Sequence, residues 1–342
     1  MQKILLIGGG TGGHILPLLP LIESLKKNNF CIDLVVSDQE LDKKIIKENF
    51  KNLEIKINFF STGKIRRYIS WKNFIDIFKI ISAIFRAKKL IKKINPDSVF
   101  FKGGFVGFPF FVAIKIFYPK LRKKIFLHES DISPGALTKI LAKNDAKIFT
   151  NFEVVQDLKN YEYQPLFFET KKISPKPSKI KKILILGGSQ GALFLNNLFV
   201  QNKEILCKKY FVTLITGLNN KINVNKKNFQ QFEILSAKNL SAKINSADLI
   251  ISRAGANTLL EIISAKKSSL IVPLPSSARN HQYFNAKYFF DRGLCKLLEQ
   301  KNYDPKKLEK IIEDIFENKV LQQNLEKSDL KNSAQEIVKK IL

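Results

Sequence analysis

Glycine clusters, acidic side chains and a few histidines carry most of the chemistry this sequence could perform. Gly8, Gly10 and Gly13 stand in a Gly-x-Gly-x-x-Gly spacing directly after the apolar run 3–7, and His14 closes the cluster. Such a loop lets backbone approach a diphosphate, with the amides and dipole of the next helix favouring the anion. Asp38 sits at a distance suited to a nicotinamide ribose. The same glycines could equally serve only to let a strand and a helix pack closely. A second cluster, Gly187-Gly188-Ser189-Gln190-Gly191-Ala192, follows the run 182–186, and a third, 103–109, follows Phe101. Neither of the first two ends in the Lys-Ser/Thr of a phosphate-binding ATPase loop, which disfavours ATP hydrolysis. The most informative stretch is 247–261, an apolar run, a glycine turn at Gly255 and then a helix carrying Thr258 and Glu261. A carboxylate there can accept two hydrogen bonds from a ribose diol, and the first amides of the helix can meet phosphate or sugar oxygens. Pro273 and Pro275 precede a further helix start that bears His281 and Gln282.

These groups need a scaffold, and the sequence predicts two copies of one. Residues 3–13 and 182–192 echo each other at an offset of 179, each an apolar run ending in glycines before a helical pattern. That is the opening of a doubly wound α/β domain. Further strands are expected at 31–37, 97–101, 124–128 and 248–252, and helices at 18–27, 75–94, 257–265 and 285–292. Residues 307–342 read as helical and amphipathic. The expected division is a first domain at 1–163, an exposed Pro- and Lys-rich linker at 164–182, a second domain at 183–325, and a C-terminal helix at 326–342 that could pack on either domain, the first included.

The chain has 342 residues, 45% hydrophobic and 26% charged, which excludes a disordered or collagen-like protein and suits two domains. Three scattered cysteines suggest a reducing compartment, and three dispersed histidines argue against a His-rich metal site. No signal peptide or run of ~18–20 apolar residues is apparent. The net charge is +28, and residues 61–124 hold 16 Lys and Arg against Asp76 and Asp97. Such a block suits nucleic acid or an anionic membrane, although no nucleic-acid motif accompanies it.

Along nearly its whole length the chain resembles the MurG family of UDP-GlcNAc-dependent transferases. The residues that carry the likeness are the 8–14 loop, the 103–109 loop, His128-Glu129, the 187–192 loop, 253–261 and 282–286. The resemblance implies two tandem Rossmann-like domains in the GT-B arrangement with an interdomain cleft. It implies an inverting transfer of N-acetylglucosamine from UDP-GlcNAc to lipid I, giving lipid II, without metal or other cofactor. It further implies a place in peptidoglycan synthesis, cell shape and cell division, peripheral to the cytoplasmic face of the cell membrane. The partners would be UDP-GlcNAc, lipid I and an anionic membrane surface, not nucleic acid, with other cell-wall enzymes as candidates. Carried over, Thr11, Gly12 and Gly13 would face the sugar and diphosphate, and Ser189 the diphosphate. The backbone at Ala237 would meet uracil. Ala256, Asn257, Thr258, Leu259, Leu260 and Glu261 would hold ribose and phosphate, and Gln282 the sugar hydroxyls. Asp131 stands where the family has asparagine, losing an amide donor but keeping acceptors, and Phe167 stands where it has an arginine.

Inverting transfer needs a base for the acceptor hydroxyl and donors or positive charge for the departing diphosphate. His14 is the first candidate base, with a diphosphate-orienting role as its alternative. Glu129 is the second, with a loop-pinning role as its alternative, and His281 is a weaker third. A nicotinamide oxidoreductase using the 8–13 loop and Asp38 would leave 253–261 without a role. A non-enzymatic lipid- or nucleic-acid-binding module would explain the charge and not the glycines. For the membrane, Trp71, Phe74, Phe78, Ile81 and Phe85 form one helical stripe. With Phe108, Phe110, Phe111, Ile114, Ile116, Phe117 and the cations at 120–124, they make the expected docking face.

Overall fold

The computed structural model describes residues 1–63, 71–144, 146–169, 180–188, 190–218 and 220–342, with backbone only for 71–77. Two compact units result: Met1–Leu166 with Ser333–Leu342, and Phe167–Asn332.

The first unit is built on seven strands, β1 (Lys3–Ile7), β2 (Cys31–Ser37), β3 (Lys56–Phe60), β4 (Ser98–Phe101), β5 (Ile125–Glu129), β6 (Lys147–Thr150) and β7 (Glu162–Tyr163). They pair in parallel in the order β3-β2-β1-β4-β5-β6-β7. Helices α1 (Leu18–Lys27), α2 (Glu40–Asn49), α3 (Trp71–Ile94), α4 (Gly107–Phe117) and α5 (Ala136–Ala142) connect them. Strands covered on both faces read as continuous apolar runs, and Ile4 to Ile7 are all fully buried. On α1, Leu18, Leu21, Ile22 and Leu25 form the buried stripe of a 3.6-residue period. Past its end, Asn29 takes a left-handed φ of 59°.

The second unit repeats the plan with β8 (Lys182–Leu186), β9 (Phe211–Ile215), β10 (Phe229–Phe232), β11 (Leu249–Ser252), β12 (Ser268–Ile271) and β13 (Lys296–Leu297). Their order is β10-β9-β8-β11-β12-β13, again parallel. Its helices are α6 (Leu193–Lys209), α7 (Ala237–Ser246), α8 (Ala256–Ser264), α9 (His281–Phe290), α10 (Leu308–Glu317) and α11 (Lys319–Lys327). The two echoing segments of the sequence are thus the central strands β1 and β8 with their loops. Strand order reverses between β1 and β4 and between β8 and β11, and ligands of doubly wound sheets bind beyond the carboxyl ends of such strands.

The last helix, α12 (Ala334–Ile341), packs along α1 in the first unit and buries Ile337, Val338 and Ile341. Ser333 donates its amide to the Pro165 oxygen at 2.7 Å, and Lys340 lies 2.6 Å from Glu162. The expected exposed linker needs correction at its start. Leu166 and Phe167 are fully buried, and the Leu166 amide donates to Asn151 Oδ1 at 2.9 Å. Residues 170–179 of that stretch lie outside the described residues.

Candidate functional site

In the first unit, the loop after β1 is fixed by a residue that sequence reasoning passed over. Asp42, in the first turn of α2 and fully buried, accepts from the Gly10 amide at 2.7 Å and the Ser37 hydroxyl at 2.6 Å. Gly9 and Gly10 adopt φ of +143° and +88°, and a Cβ on Gly9 would fall 2.8 Å from that carboxylate. Asp38, the expected ribose ligand of a nicotinamide site, is exposed just past β2. The Gly10 amide that a dinucleotide diphosphate would use is therefore already occupied by a carboxylate.

Thr11 leads into a single 3-10 turn, Gly12–His14, which half-buries the His14 ring. His14 Nδ1 lies 3.1 Å from the main-chain oxygen of Lys102, at the end of β4. A carbonyl can only accept, so Nδ1 carries the proton and Nε2 is left as the basic nitrogen. Burial, aided by the Lys102 charge and opposed by Asp131 and Asp42, lowers the His14 pKa to about 4. The third glycine loop has a packing role. Gly104 has φ +85° with its Cβ position 2.2 Å from the Gly9 oxygen, and Gly103 has φ +97° against the His14 ring.

Glu129 ends β5 and is buried. Its Oε1 accepts from the Asp131 amide at 3.0 Å, and its Oε2 from the Gly135 amide at 2.9 Å and the Thr138 hydroxyl at 2.5 Å. Burial, then the Asp131 charge, raises its pKa. Lys102, absent from every sequence-level candidate set, is 1% exposed and donates from Nζ to the Ser130 hydroxyl. Its only sequence signal is a lysine wedged between Phe100-Phe101 and Gly103.

In the second unit, Gly188 and Gly191 take φ of +79° and +75° in the loop after β8, and Gly191 abuts Gly217 after β9. That loop leads into α6, whose first amides lack intrahelical acceptors. Ser189 lies outside the described residues. Across the strand-order reversal, β11 is followed directly by Arg253, whose Nη1 donates to the Val272 and Pro273 oxygens and to Gln300 Oε1 at 3.1, 3.2 and 2.8 Å. This clamp ties together the ends of β11 and β12, and burial lowers the guanidinium pKa to about 10.

Helix α8 then starts at Ala256 after Gly255. Here the expectation narrows. Leu259 and Leu260 are fully buried and Ala256 nearly so, leaving Asn257 and Thr258 as the accessible side chains of that turn. Leu259 and Leu260 face the core, so neither side chain can meet a ligand. Glu261 is buried as well, accepts a hydrogen bond from the Phe168 amide, and has its pKa pushed up to about 8 by burial. Ala237 is the buried first residue of α7, capped by the Ser236 hydroxyl. Gln282 Oε1 accepts from the Leu274 amide at 3.0 Å, which turns its NH2 end to the remaining side. Asn285, fully buried on α9, donates to the Ala254 oxygen at 3.3 Å.

Two doubly wound domains with glycine loops at both strand-order reversals give the fold that GT-B glycosyltransferases share. Residues 4–150 match the Glycosyltransferase family 28 N-terminal domain, and residues 182–341 match the Glycosyltransferase family 28 C-terminal domain. A relative from Clostridium botulinum (strain 657 / Type Ba4) is 33% identical over 359 residues, covering 100% of this chain and 99% of its own. Another, from Clostridium tetani, is 34% identical over 354 residues, covering 98% and 96%. Both are named UDP-N-acetylglucosamine–N-acetylmuramyl-(pentapeptide) pyrophosphoryl-undecaprenol N-acetylglucosamine transferase. The crystal structure of Acinetobacter baumannii MurG superposes with a TM-score of 0.75 at 21% identity, over 100% of this chain and 99% of that one. The chain belongs to the MurG family.

Proposed function

We infer that this enzyme transfers N-acetylglucosamine from UDP-GlcNAc to the 4-hydroxyl of the N-acetylmuramyl sugar of undecaprenyl-diphosphate-linked pentapeptide, the step from lipid I to lipid II in peptidoglycan synthesis. The observation that carries this reading is the end-to-end identity of 33% with relatives bearing that activity in their names.

In the proposed mechanism the second domain holds the donor. Glu261 takes the ribose diol, Asn257, Thr258 and the first amides of α8 take ribose and phosphate oxygens, and Gln282 offers its NH2 to the sugar. The backbone at Ala237 meets uracil, and Ser189 with the amides that open α6 receives the diphosphate. From the first domain, Thr11, Gly12 and Gly13 face the sugar and diphosphate of the donor, and Asp131 joins them in binding UDP-GlcNAc. His14 Nε2 takes the proton of the attacking hydroxyl, a bond forms from that oxygen to the anomeric carbon, and the bond to the diphosphate breaks with inversion. UDP leaves with the electron pair, stabilised by helix-start amides and dipole. A ring with a pKa of about 4 is neutral at any working pH. An anionic diphosphate bound beside it would raise its basicity when the proton has to move. Glu129 is better suited to anchoring the 131–138 loop than to proton transfer, because three donors already occupy its oxygens.

The proposal includes peripheral docking at the cytoplasmic face of the membrane, alongside other cell-wall enzymes. Among the described residues no helix is long and apolar enough to cross a bilayer. Phe78, Ile81, Phe85 and Ile116 are 71%, 46%, 54% and 58% exposed, beside Lys79, Lys115, Arg122, Lys123 and Lys124. The expected face is smaller than the sequence suggested: Phe110, Phe111 and Ile114 are core, and the side chains of Trp71 and Phe74 lie outside the described residues.

Turnover of radiolabelled UDP-GlcNAc with lipid I tests the reaction. Label should appear in the lipid fraction, and a folded, UDP-binding protein that leaves it in the donor would overturn the assignment.

A further inference from the structure

Burying an ammonium is costly unless it is paired and hydrogen-bonded, and Lys102 is buried where it reaches two loops of the first-domain site at once. Its amide donates to the Ile7 oxygen at 2.8 Å, continuing the β1–β4 register by one residue beyond the strand. That register aims its carbonyl at the His14 ring, 3.1 Å away. The next residue must then be glycine, since a Cβ at Gly103 would stand 3.1 Å from two ring atoms of His14 at a left-handed φ. In the other direction the side chain runs to the loop after β5 and donates to Ser130. We propose that Lys102 is the positioning residue for the base: its carbonyl oxygen holds His14 in the Nδ1–H tautomer, and its ammonium, seated on Ser130, sets a positive charge in the same site to balance the Asp131 carboxylate.

The charges around the ring support this division of labour. Lys102 faces His14 from the end of β4, Asp131 from the loop after β5, and Asp42 from α2. Lys102 disfavours the imidazolium and the two carboxylates favour it. Around Lys102 itself stand Glu129 and Asp131, whose charges offset the desolvation that lowers the ammonium pKa to about 8. His128 donates its Nε2–H to the Gln164 oxygen at 3.0 Å, and burial, then the same cation, hold its pKa well below the ordinary histidine value, so it adds no charge of its own. Burial is the largest influence that disfavours a proton on His14; the buried ammonium adds to it and offsets the opposite pull of the Asp131 carboxylate.

The inference rests on the reading of His14 as base, and its test separates the two. His14 is followed by NMR titration in the free full-length enzyme, and kcat/KM is measured against pH with lipid I, for wild type, Lys102→Met, Asp131→Asn and the double variant. Lys102→Met should move the His14 transition and the acid limb to higher pH by on the order of one unit. Asp131→Asn should move both to lower pH, and the double variant should fall between. Ring nitrogen shifts should report Nδ1–H in the wild type. A merely structural lysine would lower activity at every pH without moving the transition. An unmoved transition in Asp131→Asn, or an Nε2–H tautomer, overturns the proposal even where Lys102→Met is too unstable to titrate. Failure of wild type to glycosylate lipid I would count against the proposed reaction, while the NMR titration still decides the role of Lys102.

Discussion

Asp42 and Gly10 are joined at 2.7 Å, carboxylate to amide, so an internal anion occupies the first glycine turn. A fingerprint that reads as a dinucleotide loop is thereby closed to a cofactor diphosphate at that amide. The protein should gain thermal stability with UDP and none with NAD. Asp42→Ala would orphan the buried Ser37 hydroxyl at ~1–3 kcal/mol and the half-buried Gly10 amide at less than that. It should lower Tm by roughly 2–4 °C per kcal/mol in a domain of this size. A calorimetric Tm equal to wild type would mean that Asp42 does not hold the turn.

For the base, His14→Ala should reduce kcat by roughly 10²- to 10⁴-fold. Activity requires the neutral ring, and its pKa is lowered to about 4, so the acid limb of kcat/KM should lie far below the ordinary histidine range. If that limb survives in His14→Ala, the ring orients the diphosphate and the proton goes elsewhere.

How much of this was legible in the sequence depended on whether a residue's fate is set locally. Strands β1 and β8 were visible because burial on both faces leaves unbroken apolar runs, and the glycines after them mark where backbone must turn tightly. The burial of Ala256, Leu259, Leu260 and Ile263 follows the i, i+3, i+4, i+7 rule, so periodicity alone separates Leu259 and Leu260 from Thr258. The carry-over from the family blurred that distinction. Glu129 could be read as base or pin, and only the fold of the 131–138 loop brings its three donors together. Lys102 was invisible for a similar reason: its burial needs the loop after β5 to close over the end of β4, a contact no local pattern encodes. Leu166 and Phe167 were hidden among prolines and lysines, where composition suggested solvent.

Glu261 offers a test of both binding and stability. Its carboxyl holds a proton up to a pH of about 8 in the fold, against 4.5 in an unfolded chain. The folded state therefore binds more protons between those values, and stability contributed by this group falls as pH rises from about 4.5 to 8. Glu261→Gln should raise Tm at pH 8 and leave it nearly unchanged at pH 4; equal shifts at both would show that the carboxyl is not held protonated. A carboxyl that is largely neutral at pH 7 makes ordinary hydrogen bonds of ~0.5–1.5 kcal/mol rather than charge-assisted ones. Glu261→Ala should then weaken UDP-GlcNAc binding by roughly 5- to 150-fold, measured by calorimetry, and unchanged affinity would remove Glu261 from the ribose site.

The exposed face of α3 and α4 bears on how the enzyme reaches a lipid-linked acceptor. On α3, Ala83, Ala87, Ile91 and Ile94 supply the core seam, while Phe78, Ile81 and Phe85 stay in solvent. Phe85 lies 6.4 Å from Phe117, and Lys88 covers that ring at 4.0 Å, so apolar and cationic groups interleave there. Aromatic and aliphatic side chains inserted at a headgroup boundary gain from burial, and each nearby cation adds ~1 kcal/mol on an anionic leaflet. The protein should sediment with anionic vesicles, and binding should weaken as salt shortens the screening length. Glu substitutions at Arg122, Lys123 and Lys124 should reduce binding to anionic vesicles by at least tenfold, since each reverses a charge. Phe78→Ser with Phe85→Ser should reduce it without changing its salt dependence. Equal binding to neutral and anionic vesicles, or indifference to the charge reversals, would place the membrane contact on another face.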